Sequence, residues 1–74
     1  MTNQLDLEKR EALIKAYEAF AHVLTTNQKQ LFHLHYIEDL SISEIAQIVA
    51  TTRGSVFDTL KKALKKLEPF LKNL

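Results

Sequence analysis

The chain lacks cysteine altogether and has one glycine and one proline in 74 residues. Without cysteine there are no disulfides to staple a small fold and no thiolate metal sites. So little glycine and proline excludes a turn-rich β architecture and points to helices of some length. No apolar run reaches the roughly 20 residues of a membrane span. The opening MTNQLDLEKR has acidic residues and no apolar stretch, so it does not read as a secretory signal, and a cytoplasmic location is expected. There is no glycine-rich phosphate loop and no catalytic serine context, so no enzyme activity and no cofactor are expected. A chain this short buries only about 60% of the surface its unfolded form exposes, so packing between helices must carry the fold.

A strong charge of one sign is also missing, since the formal net charge is +1. That figure hides an asymmetry. Residues 1–50 hold four Lys/Arg against seven Asp/Glu, whereas residues 51–74 hold six against two. The basic half begins where a helix with exposed cationic side chains is expected, which is a modest electrostatic footprint for nucleic acid. A solvated lysine face would give the same count.

What is present is periodicity. Leu13, Ala16, Tyr17, Phe20 and Leu24 recur at three- and four-residue spacing, the stripe of an amphipathic helix that Asp6 could cap. Thr25-Thr26-Asn27-Gln28 fits a capping box opening a second helix, with Leu31, Leu34 and Tyr36 facing inward and Glu38-Asp39 as an acidic loop. Ser41-x-x-Glu44 is a second capping box, for a helix whose core set is Leu40, Ile45, Ala46 and Val49. Ala50-Thr51 makes a turn, and Thr52 caps a fourth helix with Val56, Leu60, Ala63 and Leu67 on one face. Pro69 should end or kink that helix, leaving Phe70, Leu71 and Leu74 as an apolar tail.

The expectation is an all-α fold, a single domain over residues 1–74 with four helices and a helix-turn-helix at its core, about residues 24–68. A helix-turn-helix needs a short first helix, a sharp turn and a capped second helix whose exposed face is polar or basic. Ala46 supplies the small residue where the two helices cross. Thr52, Arg53 and Ser55 occupy the exposed first turn and are the candidate DNA-reading residues. Lys61, Lys62 and Lys65 are the candidate phosphate contacts, giving salt-dependent affinity without sequence preference. The same lysines would serve for RNA.

The runs from Leu24 to Gln30, Leu34 to Ala46 and Thr52 to Ala63 resemble the fourth region of bacterial sigma factors, which reads promoter elements with such a helix. The chain is more similar still to the YlxM family of small bacterial helix-turn-helix proteins, through Tyr36–Ser41 and through Arg53, Phe57, Asp58 and Leu67-Glu68. The resemblance implies a regulatory helix-turn-helix protein linked to the signal recognition particle pathway. That link comes from genes that typically neighbour those for the particle's GTPase or its receptor. The chain departs from the family pattern in three places. It has Ala50 where the turn usually has glycine and Gly54 where glutamine is usual, and it stops at Leu74 where many members continue in helix. Gly54 removes a base-reading side chain and weakens the helix by about 1 kcal/mol.

Phe57 lies about 100° from Val56, off the core stripe. Packing on Phe70 or on a partner chain suits it better than DNA, and Asp58 beside it would repel phosphate. The competing reading is therefore a protein-interaction module or homodimer with Phe57, Phe70, Leu71 and Leu74 as its surface. His33 and His35 are two residues apart, so one metal ion cannot easily take both. Glu38 and Asp39 lack any neighbouring nucleophile. The expected partners are duplex DNA, signal recognition particle components or a second copy of the chain.

Overall fold

The computed structural model describes residues 4–71. Among them the chain forms four α-helices and no strand: α1 (Gln4–Phe20), α2 (Thr26–Phe32), α3 (Ile42–Ile48) and α4 (Arg53–Leu71). A 3₁₀ turn at Ala21–Val23 follows α1, and a π turn at His33–Ile37 extends α2. The architecture is all-α, as the periodicity predicts.

Both capping boxes form. The Thr25 hydroxyl accepts from the Gln28 N–H at 3.1 Å, and the Gln28 side chain accepts from the Thr25 N–H at 3.0 Å. Ser41 and Glu44 repeat the arrangement at 3.1 and 2.9 Å. These reciprocal bonds satisfy N–H groups that a helix start leaves without intrahelical partners. The two Ser41 bonds, from the backbone first and the hydroxyl second, hold the Glu44 carboxyl below the usual glutamate range. Asp6 is not a cap, because the helix is already formed at Gln4.

Two buried clusters make the core. One gathers Leu13 and Ala16 of α1, Leu24, Phe32, and Ala63 and Leu67 of α4. The other gathers Leu31, Ile45, Ala46, Val56 and Leu60, which is the inside of the helix-turn-helix. The expected stripe of α4 is therefore buried in full, its first half in one cluster and its second half in the other. Phe32 is fully buried and absent from the sequence-based core set. Its ring stacks between Tyr17, at 4.5 Å, and Tyr36, at 4.6 Å.

α4 runs through Pro69 to Leu71 instead of stopping before it. Proline lacks the N–H that would bond the carbonyl of Lys65, four residues back. In the last turn that loss is offset by packing: Phe70 stacks on Phe20 at 4.1 Å, and Leu71 packs against the first cluster. Of the three residues expected to form a free tail, Phe70 and Leu71 pack inside the fold, and Leu74 lies outside the described residues.

Two polar ties hold the bundle. Arg10 of α1 donates to the Tyr36 carbonyl at 2.7 Å, pairs with the Asp39 carboxylate and lies over the Tyr36 ring. Burial raises the Tyr36 phenol above its ordinary value, and the Arg10 charge partly opposes that. Lys66 of α4 donates to the buried Gln28 side chain at 2.9 Å.

Candidate nucleic-acid interface

The turn before α4 closes on backbone bonds. The Thr51 N–H reaches the Ala46 carbonyl at 2.9 Å, and the Ala50 N–H reaches that of Gln47 at 3.4 Å. This is the Schellman pairing that ends many helices, and it requires a left-handed residue at the position Ala50 fills, with φ 56°. The site usually belongs to glycine because a Cβ is strained there. The turn is sharp enough for Thr52 to cap α4 at once, its hydroxyl accepting from the Ser55 N–H at 3.1 Å.

The cap leaves Thr52, Arg53 and Ser55 exposed on the first turn of α4. Thr52 and Arg53 line a shallow polar cleft with Thr51 and with Ser43 and Gln47 of α3. Sequence reading missed Ser43 and Gln47. Their four-residue spacing on α3 puts them on one face, and that spacing was the available signal. The cleft holds the side chains that base edges demand: a guanidinium suits guanine O6 and N7, and an amide suits adenine N6 and N7. The hydroxyls of Ser43 and Thr51 suit phosphate oxygens. Gly54, inside the first turn, offers no side chain, and a Cβ added there would meet nothing within 4 Å.

The lysines of α4 divide into two sets. Lys62 pairs with Asp58 at 3.0 Å, one turn earlier, and Lys66 is held by Gln28. Lys61 and Lys65 are exposed and make no ion pair among the described residues. They follow Phe57 along one row of α4, and Phe57 is 58% exposed and does not pack on Phe70, since Phe70 belongs to Phe20. Of the expected partner surface, Phe57 alone stands out from the fold. Phe70 and Leu71 turn inward, and Leu74 lies outside the described residues.

His33 is exposed, while the His35 Nδ1 donates to the Leu40 carbonyl at 2.8 Å, so His35 serves the end of the π turn. Glu38 caps that turn, and Asp39 pairs with Arg10 from a left-handed conformation with φ 60°. Among the described residues neither carboxylate lies beside a nucleophilic side chain. No helix among the described residues is long and apolar enough to cross a membrane.

The short capped α3, the Schellman turn and the capped α4 with an exposed polar first turn define a helix-turn-helix protein. Over residues 7–74 the sequence matches the model of the UPF0122 family, described as "Putative helix-turn-helix protein, YlxM / p13 like", and the chain belongs to that family. It is 40% identical over 63 residues to a UPF0122 protein of Ureaplasma urealyticum, covering 85% of this chain and 64% of that protein. A Thermoanaerobacter UPF0122 protein is 36% identical over 58 residues, 78% of this chain and 50% of the relative. One from Streptococcus pyogenes is 32% identical over 68 residues, 92% of this chain and 60% of the relative. The chain thus spans half to just under two-thirds of the length of these relatives. No solved structure is significantly similar to it.

Proposed function

We infer that the protein is a DNA-binding regulator that lays the start of α4 into the major groove. The observation that carries this reading is the polar cleft at the α3–α4 turn. There Arg53 and Gln47, the two side chains best suited to base edges, stand together and exposed beside a capped helix start. Arg53, Thr52 and Ser55 read, with Gln47 and Ser43 beside them. Lys61 and Lys65 meet phosphates more readily than Lys62, whose charge is balanced by Asp58. The resemblance to the YlxM family supports a place for this regulator in the signal recognition particle pathway.

The test is a titration with random-sequence duplex DNA at two salt concentrations. Binding in the micromolar range that falls steeply with added salt is expected, because the released counterions set the slope. Lys61→Ala/Lys65→Ala should weaken binding about equally for all sequences and flatten the salt slope by about two. Arg53→Ala should instead cost about 1–3 kcal/mol on a selected site and relax its specificity. Absence of binding at low salt would remove the DNA reading.

A further inference from the structure

The flank of α4 away from the polar cleft carries a second feature. Phe57, Leu60 and Leu64 of α4 face Ile42 of α3 and the side chains of the π turn across an open groove. Leu60 is its buried floor, and Phe57 is its exposed wall. Lys61 and Lys65 stand on the rim, with Glu68 at the far end. These positions follow the three- and four-residue spacing of one helix face, so the groove runs along α4.

We propose that this groove docks an amphipathic helix of another protein, one with an apolar stripe flanked by acidic residues. The charges select this occupant. The two α4 lysines with neither an ion pair nor a side-chain hydrogen bond among the described residues are the two on this rim, while Lys62 pairs with Asp58 and Lys66 bonds to Gln28. A second copy of the chain would meet the groove through the same patch about a two-fold axis, opposing two rims that each carry two lysines and one glutamate, a net repulsion. A helix with carboxylates beside its apolar stripe instead places opposite charges across the rim. Glu68 then fixes direction, since the partner's acidic residues lie toward Lys61 and Lys65 and a basic or neutral residue lies toward Glu68. The recognition mode is helix-in-groove, with Phe57 as the anchor that the partner covers. The groove does not include Arg53 or Gln47, but it shares Lys61 and Lys65 with the proposed phosphate contacts, so a docked helix and DNA should compete.

The test uses the ¹⁵N-labelled full chain and two synthetic amphipathic peptides of about 15 residues. Both carry a leucine stripe at helical spacing, one flanked by glutamate and the other by lysine. The acidic peptide should shift the amides from Phe57 to Lys65, weaken with salt, and bind about tenfold less well to Phe57→Ser and to Lys61→Ala/Lys65→Ala. All three substituted side chains are exposed, so the variants keep the fold, and their circular dichroism verifies it. Equal binding of both peptides would overturn the charge argument, and no shift with either would overturn the site. Sedimentation of the free protein as a dimer that dissociates on Phe57→Ser would assign the groove to a second copy and overturn the proposal equally.

Discussion

Ala50 adopts a left-handed conformation that costs an L-residue about 1–2 kcal/mol. Ala50→Gly removes that strain and gives back about 0.4–1 kcal/mol in unfolded-chain entropy. The variant should be more stable by about 0.5–1 kcal/mol, read as a rise of a few degrees in Tm. Gly54 presents the reverse case: its backbone is ordinary and the space beside it is open. Gly54→Ala should therefore gain up to about 1 kcal/mol in a urea titration with the m value unchanged. Glu44 gives a pH signature. Its folded-state pKa is depressed by the Ser41 bonds, so its contribution is fully present above the ordinary value of about 4.3 and is lost as pH falls through the depressed value. Thermal melts from pH 6 down to about pH 3 should show Glu44→Gln losing less stability on acidification than the parent chain.

Among the elements, α4 is where the sequence was most and least legible. Val56, Leu60, Ala63 and Leu67 hold strict helical spacing, and all four are buried. Beyond them, Pro69 spoke for an end, and only the distant Phe20 explains why the helix goes on. Phe70→Ala should cost about 2–4 kcal/mol, whereas Phe57→Ala should stay within about 0.5 kcal/mol. Chemical denaturation of the two variants separates the half-buried phenylalanine from the exposed one. Phe32 escaped notice because the stripe drawn through Leu31, Leu34 and Tyr36 passes over it, and its partner Tyr17 comes from the distant α1. The Arg10 pairing with Asp39 joins residues 29 apart, a contact no local pattern encodes. At the candidate interface, Thr52 and Arg53 were legible from the cap and charge of α4 alone. Gln47 and Ser43 were not, since their part depends on how α3 is brought beside that helix.

At the scale of the whole molecule, α4 is shared by both buried clusters and packs on α1, α2 and α3. Amides in its middle, from Leu60 to Leu64, should be the slowest to exchange with solvent, opening only when the whole chain unfolds. Those of α3 should open earlier, since that helix has seven residues and buries Ile45 and Ala46 alone. Hydrogen exchange followed by NMR measures the order directly.

Leu31 and Phe32 are consecutive, yet one side chain enters the helix-turn-helix cluster and the other enters the α1 cluster. They leave the α2 axis about 100° apart, so twisting α2 in either sense draws one of them out of its cavity. α2 therefore acts as a pawl, and α3 and α4 cannot swivel as a unit against α1 without leaving a void. Heating should accordingly erase the near-ultraviolet signal of Tyr17 and Tyr36 and the helicity of α4 in one transition at one temperature.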